Sequence, residues 1–222
     1  PDDYLMVYER LLTQSRQPVI IHWLGEMFDP ALAGYWGYSQ IDEALKAVTA
    51  LLRAHATRID GIKISLLDKT KEIALRRELP PSVRMYTGDD FDFAELIGGD
   101  ALGYSDALLG IFDAIAPAAS AALSELASGR RDRFDEILAP CVPLSRHIFS
   151  APTQFYKTGI VFMAWLNGYQ KEFVMLGGQE TKRSLPHLAE IFRLAVRAQL
   201  LQDPELAVTR MDTLCRAEGI TV

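Results

Sequence analysis

Val19-Ile20-Ile21-His22-Trp23-Leu24 is a near-continuous apolar run rich in β-branched residues. A strand buried on both faces reads this way, and such strands belong to parallel sheets. Arg16-Gln17-Pro18 stands before it and ends a helical pattern over residues 3–15, because proline cannot continue a helix. Residues 25–40 follow as a long loop with Gly, Pro and three aromatics, Tyr35, Trp36 and Tyr38. Helical spacing returns over residues 41–56. A second strand is expected at Ile59-Asp60-Gly61-Ile62-Lys63-Ile64-Ser65-Leu66, a helix from Asp68 to Leu79, and a third strand at Val83–Thr87. A short helix from Phe91 to Ile97 and a fourth strand at Asp100–Ser105 complete the series. Strands that alternate with helices predict right-handed βα units on a parallel sheet.

After about residue 106 the pattern changes. Residues 107–127, 129–148, 152–167, 184–200 and 203–217 all read as helices, punctuated by Pro117, Pro140, Pro143, Pro152, Pro186 and Pro204. The expected organisation is a βα region over 1–106 and a helical region over 107–222. A complete (β/α)8 barrel takes roughly 250 residues and eight strands. Four strands in about 106 residues, with polar residues at their C-terminal ends, predict an α/β chain of TIM-barrel type that covers the second half of the barrel. A small open α/β fold is the alternative. The chain begins Pro1-Asp2-Asp3 and enters a helical pattern at once, so a fragment or processed product is expected.

Composition excludes several classes. With 49% apolar and 23% charged residues, the chain is neither disordered nor fibrous. Its net charge is −6, and its only compact basic run, Arg130-Arg131-Asp132-Arg133, is broken by an aspartate. Nucleic acid is therefore not an expected partner. No apolar run approaches the ~18 residues of a membrane span. Cys141 and Cys215 lie far apart, so no disulfide framework is implied and a cytoplasmic setting is expected.

Lys63 is the sharpest chemical feature, because a lysine almost never lies inside a sheet unless something uses it. Neutralising a free lysine at pH 7 costs about 4.6 kcal/mol, and burial supplies part of that by penalising the ammonium. The neutral amine can then attack a carbonyl and form a Schiff base. The plainer alternative is a strand-end lysine whose head reaches water or pairs with Asp60 or Asp89. Gly88-Asp89-Asp90 follows the third strand. There the glycine suits a turn, Asp90 suits a helix cap, and Asp89 can hold a polar network near Lys63. His22, at the end of the first strand, is a general acid/base candidate. With Glu26 and Asp89, or Asp29, it is also a candidate metal ligand, although no tight His/Cys spacing supports one. Tyr104 and Ser105 end the expected fourth strand and can face a ligand. Gly177-Gly178 lacks the Lys-Ser/Thr of a phosphate loop.

The order VIIHWL (19–24), GIKIS (61–65), MYTGDD (85–90) and ALGYSDA (101–107), followed by long helices, resembles the dihydrodipicolinate synthase / N-acetylneuraminate lyase superfamily. These are class I aldolases on a (β/α)8 barrel with extra C-terminal helices. HWLGEMFDPALAGYWG (22–37), GIKISLLD (61–68), SDALLGIFDAIAPAAS (105–120) and FYKTGIVFMAWLNG (155–168) look closest to a bacterial dihydrodipicolinate synthase-like family of unknown function. The resemblance spans nearly the whole chain and corresponds to about strands five to eight plus the C-terminal helices. It implies that Lys63 is the Schiff-base lysine of strand six. Gly88 and Asp89 fall on the strand-seven turn, and Gly103 and Tyr104 near the strand-eight backbone that lines the keto-acid site. His22 falls where the superfamily has its proton-relay tyrosine, a departure from the pattern. The hydroxyl residues that bind the keto-acid carboxylate come from strand two, which has no counterpart here.

What the resemblance implies is a Schiff-base-forming lyase or aldolase acting on a keto acid or sugar-derived carbonyl compound. Lys63 is the nucleophile and His22 the acid/base, while Asp89, Gly103, Tyr104 and Ser105 are the expected substrate-binding residues. No organic cofactor or metal is needed, since the imine is itself the electron sink. The expected assembly is a homo-oligomer, dimer or tetramer, or a pairing with a missing N-terminal half-barrel. A metal-dependent barrel isomerase or epimerase using His22, Glu26 and Asp89 is the second reading. A non-catalytic metabolite-binding barrel is the third.

Overall fold

The structure, a computed structural model, describes residues 1–220. The chain divides after Leu109 into two compact units.

The first unit is mixed α/β. Its elements are α1 (Asp2–Gln14), β1 (Val19–Leu24), α2 (Ile41–Ala54), β2 (Ile59–Ser65), α3 (Lys69–Glu78), β3 (Arg84–Thr87), α4 (Phe93–Gly98) and β4 (Asp106–Ala107). Among the described residues they build one four-stranded sheet, entirely parallel, in the order β1-β2-β3-β4. Each strand pairs with the next one along the chain, and the order never reverses.

Apolar spacing explains the helix layer. In α2, Ala44, Val48, Leu51 and Leu52 recur at helical spacing and are all buried. They share a core with Leu75 of α3 and with Ile21, Trp23, Ile62, Ile64 and Met85 of the strands. Asp42 and Glu43 in the first turn of α2 and Arg53 in its last match the helix dipole. Asp68 caps α3, accepting from the Thr70 backbone N–H at 2.9 Å.

Two expectations for the first unit are corrected. β1 is not buried on both faces: Ile21 and Trp23 are buried, but Ile20 is 45% exposed and His22 is exposed as well. Only the face turned to α2 is packed, so β1 follows the period-2 alternation of a strand with one open face. The fourth strand is Asp106–Ala107, not 100–105. Residues 100–103 instead close a tight turn with an antiparallel bridge between Asp100 and Gly103. Asp100 Oδ1 accepts from the Leu102 N–H at 2.8 Å, and Gly99 and Gly103 adopt φ of 71° and 148°. An Asx-type turn bracketed by two such glycines cannot lie in a ladder.

The second unit is helical, with no strand among its described residues. It contains α5 (Phe112–Ala127), α6 (Arg131–Leu138), α7 (Cys141–Ile148), α8 (Tyr156–Leu166), α9 (Leu185–Arg197) and α10 (Pro204–Ala217). Phe134, Leu138, Leu144, Ile148, Phe162 and Ile191 are fully buried. The single helix expected over 129–148 is two, broken at Pro140, whose ring and missing N–H interrupt the ladder. Among the described residues no helix is long and apolar enough to cross a membrane.

Candidate active site

Sheet register sets the site. His22 pairs with Lys63, Lys63 with Tyr86, and Tyr86 with Asp106, so the four residues form one row across the sheet. Strand alternation turns them away from the core formed by Ile21, Ile62, Ile64 and Met85. Lys63 is half-buried in this row, among neighbours that include a histidine and a tyrosine. Tyr86 was not foreseen. Its hydroxyl donates to Asp60 Oδ2 at 2.5 Å, and Arg84 Nη1 donates to the same hydroxyl at 3.3 Å. The bond to Asp60 holds the tyrosine proton and raises its pKa.

His22 and Lys63 are brought together. Burial of part of the imidazole, and secondly the positive charge of Lys63, lower the His22 pKa from 6.5 to about 4. At neutral pH the ring is therefore uncharged, with one nitrogen able to accept a proton. Its Nε2 lies 3.0 Å from Ser65 Oγ. Gly88 sits beside this pair, its N–H donating to the Ile64 carbonyl at 2.8 Å. A Cβ on Gly88 would lie 2.0 Å from Ser65 Oγ, 2.8 Å from Lys63 Cε and 2.8 Å from Ile64 O. Only glycine fits there, so the space is left to Ser65 and Lys63.

The other expected residues go elsewhere. Asp89 is buried beyond Gly88. Its Oδ1 accepts from the N–H groups of Phe91 and Asp92, each at 2.8 Å, while its Oδ2 has no partner. Burial raises its pKa. Ser105 is fully buried, donating to Glu72 Oε1 at 2.7 Å and accepting from Arg76 Nη1 at 3.3 Å. Tyr104 is 64% exposed, next to Gly103 in the turn described above. Gly103, Tyr104 and Ser105 thus do not join the His22–Lys63 row.

Sequence reading also missed Glu72, the centre of a buried network. It is 2% exposed and accepts from Thr87 Oγ1 at 3.0 Å and from Ser105. Burial drives its pKa up to about 7, its two hydroxyl donors opposing the rise. Arg76 continues the network to Asp100 at 3.0 Å. The signal was present in the sequence: Glu72 precedes Leu75 and Leu79 by three and seven residues, on the apolar stripe of α3.

The metal set His22, Glu26 and Asp89 is not assembled. His22 lies on the open sheet face, Asp89 is buried as a cap for the turn after β3, and Glu26 is exposed beyond β1. Among the described residues no three His, Cys, Asp or Glu side chains stand close enough to hold a metal ion. Glu26 instead lines a cavity of about 230 Å³ with Trp23, Met27, Tyr35, Tyr38 and Asp68. A cavity of about 500 Å³ in the second unit is lined by none of the expected site residues.

Residues 1–220 match the family model described as a protein of unknown function, DUF993. The chain belongs to the DUF993 family. No curated protein matches the DUF993 chain.

Proposed function

We propose that this DUF993 chain is a Schiff-base-forming lyase or aldolase of the (β/α)8 type, acting on a keto acid or sugar-derived carbonyl compound. Lys63 is the nucleophile and His22 the acid/base. The observation that carries the reading is Lys63 itself, half-buried in mid-strand and in register between His22 and Tyr86. A neutral imidazole beside a lysine can take the proton that the attacking amine sheds. The imine serves as electron sink, so the reaction needs no cofactor.

The barrel part of this reading rests on two features. Strands in sequential order, all parallel, match a singly wound barrel rather than a doubly wound sheet with a switch point. The open face carries Ile20, His22 and Arg84 with little cover, which suits a barrel interior closed by further strands, from the same polypeptide or a second copy. Free, buried Cys141 and Cys215 suit a reducing cytoplasm.

The test is incubation with pyruvate and a panel of keto acids and aldehydes, borohydride reduction and peptide mass spectrometry. A mass increment on the Lys63 peptide, absent in Lys63→Ala, is expected. A folded protein that gains no increment with any carbonyl overturns the aldolase reading in favour of a metabolite-binding barrel. Light scattering tests the assembly: a stable monomer argues against closure of the barrel by a second copy.

A further inference from the structure

Ser65 belongs to neither the core nor any expected site, yet it borders both reactive side chains. It lies two residues after Lys63 on β2, so its side chain shares the same face. It is 3% exposed, and a buried hydroxyl needs a partner. That partner is His22 Nε2, at 3.0 Å. Although His22 pairs in register with Lys63, its ring reaches one step further along the sheet to Ser65. The space beside Gly88 fixes the other side. Ser65 Oγ and Lys63 Cε both border the point where a Gly88 Cβ would stand, at 2.0 and 2.8 Å. The two atoms are therefore no farther apart than the sum of those distances, 4.8 Å. The amine nitrogen is one bond beyond Cε.

We propose that Ser65 is a proton-relay residue that couples Lys63 to His22, an assignment that rests on the Schiff-base reading above. Lys63, charged beside His22 at rest, first loses its ammonium proton to water; attack of the resulting amine on a carbonyl carbon forms the N–C bond and sends the carbonyl π pair to oxygen. Nitrogen then holds one proton too many and oxygen one too few. Ser65 accepts the proton from nitrogen as its own passes to His22 Nε2, and the reverse hop delivers it to the oxygen, giving the carbinolamine. In a second passage Ser65 hands a proton to the hydroxyl as the nitrogen lone pair forms the C=N bond, so that the C–O bond breaks and water leaves, and the N–H of the resulting iminium returns the proton to Ser65. Amine plus carbonyl gives imine plus water, with no proton consumed. The relay requires His22 to present Nε2 as acceptor, which places its own proton on Nδ1. The low basicity of the partly buried ring returns the proton promptly. Gly88 keeps the passage clear, since any side chain there would occupy it.

The experiment uses the full chain, pyruvate as probe, and borohydride quenching at timed intervals to give the rate of Lys63 labelling. Ser65→Ala is expected to slow labelling by about 100-fold, the lower range for a positioned acid/base group. Ser65→Thr, which keeps the hydroxyl, is expected to restore most of the rate. Long-range ¹⁵N–¹H spectra of His22 supply the second readout: the Nδ1–H tautomer in the wild type, and a changed tautomer balance in Ser65→Ala. Labelling of Ser65→Ala at the wild-type rate overturns the relay and leaves the Schiff-base reading standing. An Nε2–H tautomer in the wild type, or one unchanged in Ser65→Ala, overturns the relay independently of any carbonyl. A wild type that acquires no label with pyruvate or the wider panel overturns both.

Discussion

Replacing Glu72 by glutamine should reverse a pH penalty built into the first unit. Burial raises the Glu72 carboxyl from 4.5 to about 7. Between those values the folded chain holds a proton that the unfolded chain has released. Stability from this group is therefore fully present below pH 4.5 and is lost as pH rises through 7. At 1.36 kcal/mol per pH unit the whole interval corresponds to about 3.4 kcal/mol, of which about 2.5 kcal/mol falls between pH 5 and pH 8. Glutamine has nearly the same shape and no charge, and its amide can still bond Thr87 and Ser105. Relative to the wild type, Glu72→Gln should thus gain about 2.5 kcal/mol in unfolding free energy between pH 5 and pH 8. Urea titrations at several pH values measure this, following Trp23 and Trp36 fluorescence in a Trp165→Phe background so that only first-unit tryptophans report. A difference between variant and wild type that stays constant from pH 5 to pH 8 refutes the idea that Glu72 is protonated in the fold.

Three further outcomes are expected. Gly88→Ala forces a methyl to 2.8 Å from the Ile64 carbonyl, which is backbone and cannot yield, and onto Ser65 Oγ. It should cost about 1–3 kcal/mol in urea titrations and slow Lys63 labelling. Trp36→Ala removes a buried ring stacked on Tyr8 at 4.6 Å and edge-on to Trp23 at 6.1 Å. A loss of about 3–5 kcal/mol should appear in thermal or urea melts. In the second unit, burial, then His147 and Arg183, lower the His187 pKa from 6.5 to about 4. Its stability contribution is present above pH 6.5 and lost as pH falls toward 4, about 1 kcal/mol after allowance for solvent screening of a half-exposed ring. His187→Phe, which can keep the 4.1 Å stack on His147, should remove that acid sensitivity in melts at pH 4.5 and 7.

The sheet was legible where the residues leave little choice. Ile20-Ile21 and Ile62-Lys63-Ile64 favour extended backbone by side-chain branching, and the prolines at 18, 80 and 81 mark where helices stop. The turn at 100–103 was misread because Leu102 and Tyr104 imitate strand alternation. Its decisive signals were the flanking glycines and Asp100, which bonds its own backbone. Lys63 and His22 were visible as polar residues in apolar strands. Ser65 and Tyr86 were not, because their roles come from register with neighbouring strands, which spacing along one strand does not encode. Ser105 looked like a ligand contact at a strand end, and its burial against Glu72 depends on which face of α3 turns inward.

The sequential strand order has a consequence for how the first unit is made. Pairing spans about forty residues from β1 to β2 and about twenty for each later step. A chain emerging from the ribosome delivers every strand directly after the one it pairs with. No strand must wait for a later one to slip between it and its neighbour. The ladder can lengthen by accretion during synthesis, each new strand docking on a completed edge, and the residues of the polar row arrive in the order in which they stand across the sheet.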